Sequence, residues 1–327
     1  MDAVRIGTLG SARISDAALI AAAGRVPEVS VAAVGARDRA RAEAFALRHG
    51  IATAYGSYDE LLADPDIDAI YNPLPNSLHA PWTLKAITAG KHVLCEKPFA
   101  SNEAAAKLVA DAADSSGLVV MEAMHNRYHP LVQRLAEVVP TLGPVRRIQC
   151  WTSFVIADPA DIRYDYALGG GAVMDGGCYA LDTMRMLAGD PEVIGAVADT
   201  TADGLVDVAL AARLTFPGGA AGWFESAFTK DGEFRADIHL DCANGTAWLR
   251  NFILPHDGEL RVTREGAGEQ VDDSWRTEPV LTSWAWQLRA FAAAIRTGAP
   301  VRTPAAQAVT NMRLIDDTYR AAGLPPR

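Results

Sequence analysis

Cysteine is scarce: the chain has four in 327 residues, Cys95, Cys150, Cys178 and Cys242, far apart and never in a C-x-x-C pair. That excludes a disulfide scaffold and predicts reduced thiols in a cytoplasmic protein. Seven histidines are present without H-E-x-x-H or any other metal-ligand spacing, so no metal is expected. No apolar run reaches the roughly 18 residues that suggest a transmembrane helix, and no membrane partner is expected. The opening Met1-Asp2-Ala3 meets a glycine at Gly7 without the basic start and apolar stretch of a signal peptide. Positive charge is also short, with 30 Lys and Arg against 40 Asp and Glu, a net charge of -10 and no basic run. Nucleic acid is therefore not an expected partner, because phosphate binding needs a concentrated basic surface. An anionic small molecule is not excluded, since one basic pocket or helix N-terminus suffices. Internal repeats and low-complexity linkers are absent.

What is present reads as a globular enzyme. Half the residues are hydrophobic and 21% charged, an ordinary balance, and the length divided by about 150 predicts two domains. Over residues 1–122 strands and helices alternate. Val4 and Ile6 open a strand, a glycine turn follows, and 17–23 is helical. Further strands are expected at 29–34, 67–71, 91–95 and 118–122, with helices at 39–49, 58–63, 76–89 and 102–115. Such alternation predicts an α/β domain built on a doubly wound parallel sheet.

Over 123–327 the pattern changes to consecutive strands at 145–154, 195–199, 207–216, 221–228, 236–242 and 246–250. Turns such as Pro217-Gly218-Gly219 and Ala243-Asn244-Gly245 join them. This predicts a C-terminal α+β domain on a largely antiparallel sheet, with one inserted helix at 172–187 and two late ones at 283–297 and 305–322.

Candidate binding residues cluster where strands of the first domain end, because the carboxyl ends of parallel strands open into the ligand crevice. The first turn, Gly7 to Ser15, fits a degenerate G-x-G-x-x-G/A with Gly10, Ala12 and Ser15 in the three fingerprint positions. Its candidate cofactor contacts are Gly10, Ser11, Ala12, Arg13 and Ile14. An ordinary βα turn fits the same residues. Roughly twenty residues on, Ala36 stands where an NAD enzyme places an acid, and Arg37 follows. A guanidinium there pairs with a 2'-phosphate and stacks on adenine, which favours NADP over NAD. Asp38 is open to two readings, a cap for the helix at 39–49 or an acceptor for a ribose hydroxyl. A stiff loop, Asn72-Pro73-Leu74-Pro75-Asn76-Ser77-Leu78-His79, ends the next strand; Pro73, Leu74, Asn76 and His79 are its candidates, with Asn76 equally a helix cap. Glu96 and Lys97 end the strand after that, where they either solvate a loop or face a ligand.

With these pieces in one order, the chain resembles the Gfo/Idh/MocA family of oxidoreductases. Three later segments carry the resemblance on to about Asp182. They are Glu122-Ala123-Met124-His125-Asn126-Arg127-Tyr128-His129-Pro130, Ile162-Arg163, and Gly169-Gly170-Gly171-Ala172-Val173-Met174-Asp175-Gly176-Gly177-Cys178-Tyr179. The resemblance implies an N-terminal Rossmann domain and an NAD(P)-dependent enzyme. The expected reaction is hydride transfer between the nicotinamide and a secondary alcohol or ketone of a sugar, polyol or related cyclic substrate. It implies Lys97 beside the nicotinamide and the substrate, with Asp175 and Tyr179 completing the reacting site. Arg163 is implied toward the cofactor, and Arg127 and His129 toward the substrate. Tyr179, where many members have histidine, resembles the branch of dimeric dihydrodiol dehydrogenases and pyranose dehydrogenases, which mostly uses NADP. A homo-oligomer, dimer or tetramer, follows from the family's habit of pairing subunits.

On that basis Tyr179 is the expected acid/base and Lys97 the cation that tunes it. A free phenol titrates near 10. A unit charge about 4 Å away at an effective dielectric near 20 is worth roughly 4 kcal/mol, or up to about three pKa units. Asp175 orients a substrate hydroxyl or balances Lys97. Two other readings stand beside this one: reduction of a keto-sugar nucleotide by the same residues, and a non-catalytic dinucleotide-dependent binding protein. Against the second, Lys97, Asp175 and Tyr179 are all present. Cys95 and Cys178 read as small core residues. Trp223, Phe224, Phe228, Trp284 and Trp286 read as core or subunit contact, and Asp231, Glu233 and Asp237 with Lys230 as a solvated edge.

Overall fold

The computed structural model describes residues 2–276 and 280–327. Two compact units divide it, one of Met1–His125 with Trp284–Val309, the other of Asn126–Ser283 with Thr310–Arg327. Each is discontinuous in sequence, so a single cut at residue 122 does not reproduce this division.

The first unit alternates strand and helix: β1 (Val4–Leu9), β2 (Val29–Gly35), α1 (Arg39–His49), β3 (Thr53–Tyr55), α2 (Tyr58–Leu62), β4 (Ala69–Asn72), α3 (Asn76–Thr88), β5 (His92–Cys95), α4 (Glu103–Ser116) and β6 (Val120–Glu122). The strands form one parallel sheet in the order β3-β2-β1-β4-β5-β6, the dinucleotide-binding order with its reversal between β1 and β4. All four residues of β4 are buried, as expected of a strand covered on both faces. Helix starts follow local chemistry. Asp38, Ser57 and Asn102 accept backbone N–H bonds from Ala40, Glu60 and Ala105 at 2.8, 3.1 and 2.9 Å, satisfying donors that each helix leaves open.

The second unit contains α5 (Pro130–Thr141), β7 (Val145–Val155), α6 (Cys178–Ala188), β8 (Glu192–Thr200), β9 (Asp207–Thr215), β10 (Ala221–Thr229), β11 (Arg235–Cys242), β12 (Gly245–Arg250), β13 (Glu259–Arg264) and β14 (Gln270–Val271). The late helices are α7 (Ser283–Thr297) and α8 (Ala305–Ala321). Its eight strands run β14-β13-β12-β11-β7-β10-β9-β8, antiparallel except for the β7–β10 pair. Alternation sends Ile148, Cys150 and Thr152 of β7 and Phe224 and Ser226 of β10 inward. Trp151 and Trp223 lie on the opposite face, with ring centroids 5.5 Å apart, and Arg235 covers Trp151 at 4.6 Å.

The α/β class, the parallel first sheet and the largely antiparallel second one are as the sequence predicts. Four elements are additional: β3, α5, β13 and β14. The α5 pattern is legible in retrospect, since Leu131, Val132, Leu135, Val138 and Val139 are its buried stripe.

The inserted helix differs in kind. Val173–Gly177 is a wide π turn and only then does α6 begin. The cause is close packing: a Cβ on Gly176 would lie 2.6 Å from Phe154 Cε2 and 2.9 Å from Thr152 Oγ1, so the helix start presses on the sheet through bare backbone. The π turn also shifts helical phase between Asp175 and Tyr179, so their four-residue spacing does not by itself give them one face.

Candidate active site

In the first unit, three loops meet at the carboxyl ends of β1, β2 and β4. Gly10 takes φ +77°, and its N–H donates to the Gly35 carbonyl at 2.6 Å. A side chain there would be strained, and its Cβ would stand 3.3 Å from Leu74 Cδ2 and 3.5 Å from the Tyr58 hydroxyl. The fingerprint turn and the proline loop are therefore neighbours across the reversal between β1 and β4. Glycine at this point lets the chain turn tightly at the end of β1, as the first position of a dinucleotide fingerprint requires. Ser11 and Ala12 are partly exposed, and Arg13 and Ile14 are exposed.

At the end of β2, Ala36 is 4% exposed and its N–H bonds the Tyr55 carbonyl at 3.1 Å, so no carboxylate occupies the ribose position. Asp38 caps α1. Arg37 is exposed, and both its charge and its hydrogen bond act to lower the titration of Tyr58, alongside Arg41, although burial is larger and pushes that phenol up. Tyr58 stands edge-on to Trp82 at 4.7 Å. Arg41, Tyr58 and Trp82 are absent from the sequence-derived set. Arg41 lies in the first turn of α1, just beyond the Arg37 position.

The proline loop is braced from beneath. Asn72 donates to the His79 carbonyl at 3.0 Å and to Thr83 Oγ1 at 3.2 Å, and accepts from Leu74 N–H at 3.4 Å. Asn76 is the first residue of α3 and Pro75 occupies the cap position. His79 is 1% exposed, with Nδ1 2.7 Å from the Pro98 carbonyl and Nε2 2.6 Å from the Leu74 carbonyl. Two carbonyls favour a doubly protonated ring, while complete burial and the Lys97 charge oppose it. Burial is the largest effect, and the histidine is pushed down to about 4. Neutral, it donates to one of the two carbonyls and ties the proline loop to the Lys97–Pro98 turn; Pro73 and Leu74 are buried beside it. His79 thus holds the loops by their backbone.

The Glu96-Lys97-Pro98 turn, which contains a cis Lys97–Pro98 peptide, is fixed at several points. Glu96, 6% exposed, accepts from the Tyr71 hydroxyl at 2.7 Å. Glu122 accepts from Phe99 N–H at 2.9 Å. Lys97 is partly exposed. Glu96 is therefore part of the turn's framework, not a solvating loop charge. Cys95 is buried, and burial raises its thiol; a hydrogen bond with Thr83 opposes this, and the charges of Glu122 and Glu96 add to it, so it is no nucleophile.

In the second unit, Asp175 and Tyr179 are 9% and 3% exposed. Arg163 donates from Nε to Asp175 Oδ2 at 2.8 Å and from Nη1 to Asp161 Oδ1 at 3.1 Å. The charge of Asp175 is the first cause that raises the guanidinium's own titration. The guanidinium expected to face the cofactor thus also orients Asp175. Arg127 is likewise occupied, bonding both oxygens of buried Asp182 at 2.9 Å. His129 caps α5, accepting from Leu131 N–H at 3.2 Å, and packs on Trp275 at 5.4 Å. Burial pushes it down to about 4. Both residues, expected toward the substrate, serve the frame of their unit in this structure. Asn311, absent from the sequence-derived set, donates to the Cys178 carbonyl at 3.1 Å and anchors the start of α6.

Comparison with known proteins adds the following. Residues 4–124 match the family model described as "Oxidoreductase family, NAD-binding Rossmann fold", GFO_IDH_MocA, and 132–248 match the GFO/IDH/MocA C-terminal domain. The chain is similar to D-xylose 1-dehydrogenase (NADP(+)) 2 of Haloferax volcanii, with 38% identity over 97% of this chain and 96% of that one. It is 39% identical to trans-1,2-dihydrobenzene-1,2-diol dehydrogenase of Sus scrofa over 62% of this chain and 61% of that one. Among solved structures, a 3-ketoreductase from Actinomadura kijaniata in complex with NADP and TDP-benzene superposes with a TM-score of 0.87, 28% identity and 98% of both chains covered.

Proposed function

The chain belongs to the Gfo/Idh/MocA family of NAD(P)-dependent oxidoreductases, and from that membership we propose that it interconverts a secondary alcohol and a ketone, or the equivalent lactol and lactone carbon, on a sugar or related cyclic polyol. The observation that carries the proposal is the left-handed Gly10 turn packed against Leu74 and Tyr58 at the end of β1, with Arg37 exposed and the acid position taken by buried Ala36. These residues fit a dinucleotide and favour one with a 2'-phosphate. Gly10, Ser11, Ala12, Arg13 and Ile14 would hold the pyrophosphate, Arg37 the 2'-phosphate, and Pro73 and Leu74 the flat rings.

Bound, the nicotinamide supplies the two-electron chemistry, leaving the chain one proton to move and one developing oxyanion to hold. In the proposed mechanism Tyr179 gives or takes that proton at the substrate oxygen, and the Lys97 ammonium favours the ionised phenol and the oxyanion. Asp175, oriented by Arg163, accepts a hydrogen bond from a neighbouring substrate hydroxyl. Reduction of a keto-sugar nucleotide is a second reading, favoured by the likeness to the TDP-benzene complex.

Fluorescence titration is expected to show NADPH bound at least about tenfold tighter than NADH, a difference of about 1.4 kcal/mol. Aldoses, cyclic polyols and dihydrodiols with NADP+, and keto-sugar nucleotides with NADPH, are then screened by absorbance. Turnover of none of them would overturn the proposal, and the active class separates the two readings.

A homo-oligomer is proposed on the outer face of the second sheet. Val197, 72% exposed, Ala211, Glu225 and Trp151 form a cross-strand row there, with Val155 also exposed. The row is apolar but for Glu225, and we propose it as the pairing surface. Sedimentation at micromolar concentration is expected to give twice the 34.8 kDa chain mass or more; a monomer would exclude the pairing.

A further inference from the structure

The Gly169-Gly170-Gly171 turn, which leads into the helix of Asp175 and Tyr179, rests on a buried ionic cluster that the proposed chemistry does not use. Asp207, at the start of β9, is 0% exposed. Its carboxylate accepts from Val173 N–H at 2.8 Å, from the Tyr319 hydroxyl at 2.9 Å and from Arg327 Nη2 at 2.5 Å. Arg327 also donates from Nε to the Gly170 carbonyl at 2.7 Å. Its guanidinium lies over the rings of Tyr319 at 4.1 Å and Tyr166 at 5.3 Å, and the Tyr166 hydroxyl in turn bonds the Pro326 carbonyl at 2.9 Å. Burial pushes the Asp207 carboxyl up and the Arg327 charge opposes it. Burial also pushes the Tyr319 phenol well up, which keeps it a donor.

Gly171 answers to this cluster, and Gly170 to the backbone beside it. A Cβ on Gly171, at φ +134°, would collide with Asp207 Oδ1 and stand 2.7 Å from the Tyr319 hydroxyl, and one on Gly170 would strike the Arg163 carbonyl. Buried ion pairs are weak contributors to stability, because desolvation offsets their attraction; their better-attested use is to fix one arrangement. Here the pair grips the Gly170 carbonyl on one side of the turn and the Val173 amide on the other. Asp175 N–H bonds the Gly171 carbonyl at 3.0 Å, so the turn carrying Asp175 hangs directly on the gripped segment.

We propose that Arg327 is a positioning residue for the reacting helix: by bridging Asp207 and the Gly170 carbonyl it sets the start of the π turn and thereby the placement of Asp175 and Tyr179. This rests on the reading that those two residues act on the substrate.

The test is Arg327→Gln, read by hydrogen exchange of peptides within 169–180 and by steady-state kinetics. Exchange over 169–180 is expected to rise and kcat to fall about 10- to 100-fold, the effect of a misplacement near 1 Å. The KM for NADP+ should stay within about twofold, since its proposed contacts lie on the other unit, and Arg327→Lys, which restores the charge but not the fork to Gly170, should fall between. If Arg327→Gln does not fold, the paired Asp207→Asn/Arg327→Gln enzyme, with no stranded charge, carries the same measurements. Unchanged exchange over 169–180 overturns the proposal whatever kcat does. Raised exchange with unchanged kcat overturns it too where Tyr179→Phe is inactive. Raised exchange with a fall in kcat, alongside a fully active Tyr179→Phe, upholds the clamp and refutes the role given to Tyr179.

Discussion

Tyr179→Phe is expected to lower kcat by about 10²-fold or more, with the affinity for NADPH unchanged. General acid–base catalysis contributes about 10²- to 10⁴-fold, and the lower figure corresponds to about 2.7 kcal/mol of barrier. The substitution removes one oxygen and leaves the ring. Tyr179 is 3% exposed at the start of α6, where phenylalanine fills the same space. The helix start remains held through the backbone, by Asn311 on the Cys178 carbonyl and by Ser226 Oγ on the Ala172 carbonyl at 2.7 Å. A thermal midpoint within a few degrees of the parent enzyme is therefore expected, which separates loss of the proton relay from loss of fold. Retained turnover with a folded protein would remove Tyr179 from the mechanism.

Lys97→Met is the second large effect, again about 10²-fold in kcat. Methionine replaces the ammonium with an uncharged chain of similar reach, so the variant tests charge more than packing. The turn around it is held at other points as well. Glu96 is held by Tyr71, Phe99 N–H by Glu122, and the Pro98 carbonyl faces His79. On the proposed pairing the lost cation no longer favours the ionised phenol, so the proton-accepting form is reached only at higher pH. The kcat profile for alcohol oxidation should move toward alkaline pH, with activity partly recovered there. The Tyr179→Phe enzyme has no phenol and should show no such recovery. Equal rates for Lys97→Met and the parent across the pH range would end the assignment.

Periodicity and punctuation made most of the fold legible. The expected helices at 39–49 and 283–297 coincide with α1 and α7, because capping residues and glycines mark helix ends within a few residues of sequence. The parallel arrangement follows from alternation with helices, since parallel neighbours need crossovers. Much of the site was legible for the same reason: the carboxyl end of a parallel strand is a place known from sequence alone, and it holds Gly10, Arg37, Leu74 and Lys97.

Partnership was not legible, and it is what only tertiary structure decided. Arg163 was expected to face a cofactor, yet its guanidinium lies on Asp175 and Asp161. Arg127 has Asp182, His129 has Leu131 N–H and Trp275, and Gly171 has Asp207, Tyr319 and Arg327 packed against it. Local pattern encodes which side chains are buried, because burial repeats with the period of the helix or strand. Which donor meets which acceptor carries no period. A buried charge takes whatever opposite group the completed fold brings within about 3 Å, and for Asp207 that group is 120 residues away.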